Sequence, residues 1–447
     1  MNFQYRVSKF SFVAIAACTF PAVLLCLGGD KYATITNAQA LEMLNEVETD
    51  IKENYYDPKL HGFPIEERFN KARTAIGAAK SQDEALLDIA GAVEALGDSH
   101  THLWPPARPY GVDYGWKAEA VGESQCYIQA VREGSDAAAK GLKAGDELLS
   151  VNGVKISRQS LGAVEYGYAV FPQSGLHLQV KSPGGAERTI VAMAKVIPGQ
   201  KIIRHADVMA WLHANQNTKE KNRSSYAKEG DTLFWKLPDF LIDPDEMDAF
   251  LDKTRAYRAL VLDLRGNPGG LAEAEQKFAG GFFEKDMTLY RFQGRGETKP
   301  IVAKTRGSKT FKGKLIVLID SESGSAAELF ARVVQLEKRG TLLGDRSKGA
   351  VMESKRLLHA VRLDATHVTQ YWTSVTIANL MMADGESLER RGVIPDERIL
   401  PTADDLETGR DPVLARAAEL AGVKKTAEEA GKMFPFEWPR DYVFEMN

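Results

Sequence analysis

The pattern of apolar positions divides the chain into a helical part, a strand-rich part and a mixed part. From residue 37 to about 97, apolar residues recur every three or four positions, as in Leu41, Leu44, Val47 and Ile51. This period gives a helix one apolar face, so the segment is predicted to form two or three helices. Between 110 and 198 the apolar runs are shorter and alternate with polar residues, which predicts a small domain rich in strands.

Two later segments share one layout, in which a buried strand leads through a turn of small residues into a helix. The apolar runs at 259–264 and 315–319 have the length and β-branching of buried strands, and a further strand is expected near 341–344. The first turn contains Asn-Pro-Gly-Gly at 267–270, and the second contains Ser-Gly-Ser at 323–325. In an open α/β sheet, sites form at the carboxyl ends of the strands, so these turns are expected to face each other.

Ser325 stands where the second strand gives way to a helix, and it has two interpretations. As a helix N-cap, it would accept a hydrogen bond from the first turn. As a nucleophile, it would form an oxyanion that the same N–H groups stabilise. The glycine-rich turn at 267–270 suits an oxyanion hole or a phosphate site, but the Gly-Lys-Ser/Thr pattern and the dinucleotide spacing are absent from it.

Length and composition narrow the class of protein. A chain of 447 residues is expected to form two or three domains, and its 44% apolar and 26% charged residues are typical of globular proteins. The formal net charge is only −4 and no long basic run occurs, so nucleic acid is not an expected partner. Because Cys126 is the one cysteine outside the N-terminal apolar region, neither a disulfide framework nor a cysteine metal site is expected. No metal or cofactor is predicted.

The N-terminal segment is typical of an export signal. Arg6 and Lys9 precede an apolar run at 10–27, which contains Cys18 and Cys26, and Asn-Ala-Gln-Ala at 37–40 offers a cleavage site of small residues. We therefore predict a signal peptide or a membrane anchor over residues 1–40. The protein would be exported, periplasmic or associated with the cell envelope, and it would touch the membrane only through this segment if it stays uncleaved. A buried helix of a cytosolic protein is the alternative.

The strand-rich region carries a recognisable pattern. The residues "GLKAGDELLSVNG" at 141–153 resemble a PDZ domain, and the resemblance covers nearly ninety residues. PDZ domains add the C-terminus of a peptide as an extra strand at a sheet edge, which implies polypeptide partners bound by their C-termini. The alternative is a domain that only packs or gates. By analogy, the carboxylate-binding loop would lie at 110–115 and include Gly111, Val112, Asp113, Tyr114 and Gly115.

The rest of the chain resembles peptidase family S41, the tail-specific or C-terminal processing proteases and their tricorn-like relatives. The resemblance extends from about residue 40 to 400, and its motifs are "LGDSHTHL" at 96–103, "LVLDLRGNPGG" at 260–270, "VLIDSESGSAAELFA" at 317–331, "LLGDRSKGAV" at 342–351 and "DGESLERRGVIPD" at 384–396.

The resemblance implies an α/β fold: a protease core like that of ClpP and the crotonases, with a central sheet and flanking helices. A PDZ β-domain would be inserted after an N-terminal helical region. The expected division is a helical region at 41–105, the PDZ domain at 106–200, the peptidase core at 201–402 and a C-terminal tail at 403–447.

The resemblance also implies serine proteolysis. Ser325 would attack a peptide carbonyl and form an acyl-enzyme. Backbone N–H groups of Gly269 or Gly270 and of Ala326 would stabilise the oxyanion.

Two candidates for the general base remain. The processing proteases of the family use a lysine with a glutamine four residues later, but Lys348 is followed by Met352 at that position. Aligned without a gap from Gly344, Lys348 also falls two positions short of the usual lysine. In the other branch a histidine and an acidic residue serve, and His100 and Glu389 match them. A lysine base needs burial to lose its proton near neutral pH, which the sequence does not reveal.

Two rival functions belong to other classes. The missing glutamine and the displaced lysine would suit a binding protein with a degenerate protease core. An envelope scaffold built around the PDZ domain is the second rival, but about half of the chain lies outside that domain. The substrate and the oligomeric state are left open.

Overall fold

The computed structural model describes residues 34–108, 110–198, 225–242 and 244–438. The apolar run at 10–27 lies outside these residues with most of the predicted signal peptide or anchor, and so does Asp243, which the sequence predicts as a helix cap. The predicted cleavage site at 37–40 forms the first turn of a helix. Within the described ranges, no helix combines the length and the apolar character that a membrane span requires.

The described residues form the following elements in chain order. The helices are α1 (Asn37–Asn54), α2 (Ile65–Ala78), α3 (Gln82–Glu94), α4 (Asp136–Ala139), α5 (Leu161–Val170), α6 (Pro244–Thr254), α7 (Ala272–Ala279), α8 (Ala326–Leu336), α9 (Ala403–Thr408), α10 (Pro412–Leu420) and α11 (Ala427–Gly431). The strands are β1 (His102–Trp104), β2 (Tyr110–Asp113), β3 (Trp116–Val121), β4 (Gln125–Val131), β5 (Glu147–Val151), β6 (Val154–Lys155), β7 (Gly175–Lys181), β8 (Glu187–Met193), β9 (Lys195–Pro198), β10 (Ser225–Glu229), β11 (Thr232–Lys236), β12 (Ala259–Asp263), β13 (Met287–Gly294), β14 (Glu297–Ala303), β15 (Lys314–Ile319), β16 (Gly340–Gly344), β17 (Met352–Arg362), β18 (Val368–Met382) and β19 (Glu397–Arg398).

The predicted N-terminal helices are confirmed as α1, α2 and α3. Their apolar faces share one core, which also receives Tyr371 and Val375 of β18. That strand belongs to an antiparallel sheet of order β1-β18-β13-β14, and β17 pairs along the other edge of β18. The N-terminal helices are thereby fixed to the sheet that begins with β1, two residues after His100.

The strand-rich region forms its own sheet and core. Its order is β3-β4-β5-β7-β8, with β6 against β5, and α5 packs on the sheet through Leu161, Val164 and Tyr168. The tight turn between β5 and β6 is at Asn152 and Gly153, both with positive φ, as the Asn-Gly pair predicts. A separate two-stranded ribbon pairs β2 with β9.

The central sheet follows the order β10-β11-β12-β15-β16-β19, and its neighbours are parallel from β11 onwards. The strands predicted at 259–264, 315–319 and 341–344 are confirmed as β12, β15 and β16. Successive side chains point to opposite faces, so Leu260 and Leu262 contact the core beneath α6, α7 and α8. Val261 faces the opposite core, which α10 covers. The predicted α/β class, with a central sheet and flanking helices, is confirmed.

Candidate active site

Ser325 lies at the carboxyl edge of the central sheet, as the N-cap of α8, with φ 50° and ψ −119°. This conformation is unfavourable for a residue with a Cβ atom and is held by its surroundings. The N–H group of Ser325 donates to the carbonyl oxygen of Ala350 at 2.9 Å and to Oε2 of Glu328 at 3.0 Å. The serine is therefore fixed by its backbone, at the start of a helix whose first N–H groups face the turn.

The turn at 267–270 lies directly against Ser325, as the sequence predicts for the two strand ends. The N–H group of Gly324 donates to the carbonyl oxygen of Asn267 at 2.8 Å, which joins the two turns. Gly269 has φ 104°, and a Cβ atom placed there would lie 2.6 Å from Cβ of Ser325. A side chain at this position would therefore displace the serine.

Hydrogen bonds distinguish the predicted oxyanion donors. The N–H group of Gly269 donates to Oδ1 of Asn267 at 2.8 Å, so it is already occupied. In the described part of the chain, no hydrogen bond uses the N–H groups of Gly270 or Ala326. Ala326 is the first residue of α8, and Gly270 lies two residues before α7. Both N–H groups are free to bind a negatively charged oxygen.

His100 is joined to Glu389 through Ser99, a residue that sequence reasoning did not single out. The Ser99 hydroxyl donates to Oε2 of Glu389 at 2.7 Å and lies 2.7 Å from Nδ1 of His100. The N–H group of Ser99 donates to Oε1 of the same carboxylate at 2.9 Å. Since the hydroxyl donates to the carboxylate, its oxygen accepts from Nδ1–H of the imidazole. This leaves Nε2 as the unprotonated nitrogen, which a general base requires.

One peptide unit connects Glu389 to Ser325. The carbonyl oxygen of Ala350 accepts from the N–H group of Ser325, and the N–H group of Val351 donates to Oε2 of Glu389 at 2.9 Å. Both groups belong to the planar peptide between residues 350 and 351. The structure thus brings Ser325, Glu389 and His100 into one connected set. No hydrogen bond between Oγ of Ser325 and His100 occurs in the described residues, and catalytic contacts are commonly looser without substrate.

Burial controls the protonation of His100 and Glu389. Desolvation, followed by the neighbouring His102 and more weakly by Lys348 and Arg356, lowers the pKa of His100 to about 4. The imidazole is therefore neutral near pH 7. Desolvation also raises the pKa of Glu389, against the hydrogen bonds that it accepts.

Lys348, the second predicted base, lies beside the turn at 323–325 that precedes α8. Its N–H group donates to the carbonyl oxygen of Ser323 at 2.9 Å, and its Cδ atom is 3.6 Å from the place where a Cβ atom of Gly324 would stand. The side chain is exposed to solvent, however. The burial that a lysine base needs is therefore absent.

Glu328 is a second residue that sequence reasoning missed. It is completely buried in the first turn of α8, and its carboxylate also accepts from the Ser347 hydroxyl at 2.6 Å and from the N–H groups of Gly349 and Ala350 at 2.7 and 2.9 Å. Desolvation raises its pKa to about 7, against these bonds. The signal in the sequence was the Ser-x-x-Glu spacing of a capping box, which predicts such a bond to the backbone.

The predicted peptide-binding loop differs from the structure. Residues 110–113 form β2, paired with β9, so only Tyr114 and Gly115 continue beyond a strand. The segment nevertheless lines a groove of about 550 Å³ beside α5. Other lining residues are Val151, Leu161, Val164, Tyr168 and Leu176. The helix also contributes the charged Glu165 to this groove, which offers room for a short peptide.

No metal centre is evident among the described residues, because no three His, Cys, Asp or Glu side chains there are grouped to hold an ion.

Two family models match parts of the chain. The model of peptidase family S41 matches residues 231–399, and the PDZ domain model matches residues 111–165. The carboxy-terminal processing protease CtpA of Bacillus subtilis (strain 168) is 22% identical over 407 residues, which cover 87% of this chain and 76% of the relative. Carboxyl-terminal-processing peptidase 1 (chloroplastic) of Arabidopsis thaliana is 24% identical over 393 residues, covering 83% and 72%.

A solved structure, that of mature CPAF, has a similar fold. It superposes with a TM-score of 0.59 at 15% identity and covers 83% of this chain and 94% of its own. The fold and the matches define a serine-type peptidase that carries a PDZ domain. The model of peptidase family S41 covers residues 231–399, which contain Ser325 and the turn at 267–270.

Proposed function

We propose that the protein is a serine endopeptidase that cleaves polypeptides through an acyl-enzyme at Ser325, with His100 as the general base. The observation that carries the proposal is the connected set from His100 through Ser99 and Glu389 to the peptide that binds Ser325. This set leaves Nε2 of His100 unprotonated, as a general base requires. It also fixes Ser325 beside the free N–H groups of Gly270 and Ala326. An exposed Lys348 does not supply these features.

In the proposed mechanism, Oγ of Ser325 attacks the scissile carbonyl while Nε2 of His100 takes its proton. The N–H groups of Gly270 and Ala326 stabilise the resulting oxyanion. Glu389, acting through the Ser99 hydroxyl, stabilises the imidazolium, which then protonates the leaving amine. Water, deprotonated by the same histidine, releases the acyl group.

We further propose that the groove at 110–115 and α5 holds the C-terminus of the substrate. Relatives named as carboxy-terminal processing proteases support this assignment. The basic residues and apolar run at the N-terminus support export, with envelope or exported proteins as the substrates. The division into a helical region at 41–105, a PDZ domain at 106–200, a core at 201–402 and a tail at 403–447 is part of this proposal.

The nucleophile is tested with Ser325→Ala on an unfolded protein substrate and on peptides that end in apolar residues. We expect kcat/KM to fall on the order of a thousandfold or more, because the residual rate depends on binding and the oxyanion hole alone. Ser321→Ala, a partly exposed serine in the same turn, is the matched control and should retain activity. Cleavage that survives Ser325→Ala would overturn the assignment. A folded wild-type protein that binds these peptides without cleaving them would instead identify a binding protein.

A further inference from the structure

Three large apolar side chains form a row on the outer face of the antiparallel sheet. Trp104 of β1 pairs with Trp372 of β18, which pairs along its other edge with Leu358 of β17. Residues paired in this way have their side chains on the same face of the sheet, with Cβ atoms about 5 Å apart. Trp104 is 51% exposed, Leu358 is 44% exposed and Trp372 is partly exposed. We call these three residues the tryptophan row.

The tryptophan row is an open apolar surface. Single apolar side chains on a protein surface need no explanation, but a contiguous patch marks a binding site more often. On the opposite face of the sheet, Leu103 and Tyr371 are buried against the N-terminal helices, so the row is not needed for that core. The guanidinium of Arg356 lies 5.3 Å from the ring centroid of Trp104 and gives the row a polar edge. Among the described residues, the row is left uncovered.

The tryptophan row adjoins the proposed general base. Ser374 follows Trp372 by two residues, so its side chain is on the same face of β18. The Ser374 hydroxyl donates to the carbonyl oxygen of His100 at 2.7 Å. Two residues of a strand span about 7 Å, so the row is close to the backbone of His100. Since His100 protonates the leaving amine in the proposed mechanism, the leaving fragment of the substrate begins beside the row.

The tryptophan row also adjoins the groove that is proposed to hold the C-terminus of the substrate. Pro105, directly after Trp104, lines that groove together with residues 106–108. The Tyr166 hydroxyl of the groove helix α5 donates to the carbonyl oxygen of Leu103 at 2.6 Å, which fixes β1 to the groove. A substrate that reaches from the catalytic serine to the groove would therefore pass the row.

We propose that the tryptophan row binds the part of the substrate between the scissile bond and the C-terminus, and that it favours aromatic or large aliphatic side chains at the second to fourth residues after that bond (P2′–P4′). The inference rests on the proposed peptidase function. An extended peptide advances about 3.3 Å per residue, so these positions fall over the row. Their side chains would pack against indoles that lose little conformational freedom on binding.

The proposal is tested with peptides that share one scissile sequence and one C-terminus and carry a fluorophore and a quencher on the two sides of the bond. One peptide has serine at P2′, P3′ and P4′, and three others each have phenylalanine at one of these positions. We expect the wild type to cleave at least one phenylalanine peptide with a kcat/KM about tenfold higher than that of the serine peptide. Trp104→Ala should bring this ratio close to one, and Leu358→Ala should reduce it.

The matched control is Tyr226→Ala, which removes a 48% exposed aromatic ring from β10 at the edge of the central sheet and should keep the ratio. Equal cleavage of all four peptides by the wild type would overturn the proposal and leave the peptidase function intact. An equal loss with every peptide in Trp104→Ala would also overturn it, because a disturbed His100 would explain that result.

Binding gives a readout that does not depend on cleavage. In the Ser325→Ala background, fluorescence anisotropy should show at least one phenylalanine peptide binding several-fold more tightly than the serine peptide. Adding Trp104→Ala should remove this difference while circular dichroism and Tm confirm a folded chain. If the wild type cleaves no peptide, the peptidase function fails and the binding comparison decides the role of the row. Equal affinities for all four peptides would then reject it.

Discussion

In the proposed mechanism, the chemistry of the site depends on one imidazole that its surroundings keep neutral. His100 is partly exposed, yet desolvation, His102 and nearby cations make its protonated form unfavourable. Nδ1 is engaged by Ser99, so the remaining nitrogen acts in a known state. A base held in this way is ready to accept a proton at any pH above its pKa. Ser99 fixes its tautomer beforehand, and Glu389 stabilises the imidazolium once the proton has arrived.

This protonation state predicts an unusual pH profile. Because the pKa of His100 is lowered to about 4, the base stays unprotonated down to that region, and kcat/KM should fall only as pH approaches 4. Removing the charge of Lys348 should raise the pKa of His100, so Lys348→Ala should keep activity and move the acid limb to higher pH. Lys355→Ala, an exposed change on β17, is the control and should leave the limb in place. Loss of all activity in Lys348→Ala, with the fold intact, would instead make the lysine the base.

At the scale of elements, the N-terminus of α8 positions Ser325 because hydrogen bonds to the buried Glu328 hold it in place. Glu328 accepts hydrogen bonds from the helix start and from the segment at 347–350, so one carboxylate holds both Ser325 and Ala350, the residue before the Val351 N–H that binds Glu389. Sequence patterns are well suited to finding such helices, since the period of apolar residues decides which face is buried. They do not show which distant backbone groups a buried carboxylate will meet.

Glu328→Gln tests this anchoring role. Every partner of the Glu328 carboxylate is an N–H or O–H donor. The NH2 group of a glutamine cannot accept from them, so the donors that face it lose their hydrogen bonds. We expect the free energy of unfolding to fall by about 1–3 kcal/mol and kcat/KM to decrease with it. Glu337→Gln, exposed at the C-cap of the same helix, should change stability by less than about 0.5 kcal/mol. Chemical denaturation of both variants would measure the difference, and equal stabilities would contradict the role.

Elements set by local apolar patterns were predictable from the sequence, and contacts between distant residues were not. The buried strands β12 and β15 were predictable because continuous apolar runs leave few alternatives. Residues 110–113 were interpreted as a loop. This four-residue strand depends on pairing with β9, which is more than eighty residues away and which the local sequence does not indicate. Ser99 was missed for a related reason: an ordinary serine becomes part of the site only through a carboxylate 290 positions away. Likewise, the occupied N–H of Gly269 depends on how the Asn267 side chain turns.

At the scale of the whole molecule, the PDZ region is fastened to the core beside the catalytic segment. Arg158 binds Asp345 at 2.8 Å, and both side chains are about 5% exposed. The N–H group of Gly122 donates to the same carboxylate at 2.8 Å. A second contact joins Lys117 of β3 to Glu322 in the turn before Ser325 at 2.7 Å. Movement of the PDZ sheet would therefore reach the nucleophile turn directly.

The buried contact should dominate the stability of this junction. In Asp345→Asn, Arg158 keeps its charge in a desolvated place without a counter-charge, so we expect a loss on the order of 3 kcal/mol in the free energy of unfolding. Glu123 pairs with Arg346 across the same junction but is 57% exposed, so Glu123→Gln should cost less than about 1 kcal/mol. Thermal or denaturant unfolding would compare them. Equal effects would show that burial does not set the strength of the junction.

The contact between Ser99 and Glu389 also has a consequence for biosynthesis. During synthesis from the N-terminus, the histidine end of the site emerges long before the carboxylate that orients it, and the helix of Ser325 appears between them. A partly made chain therefore lacks a complete set, however well its first half has folded. Contacts of such separation are also slow to close. In the proposed mechanism, the connected set is therefore complete only after Glu389 has been made and has reached Ser99.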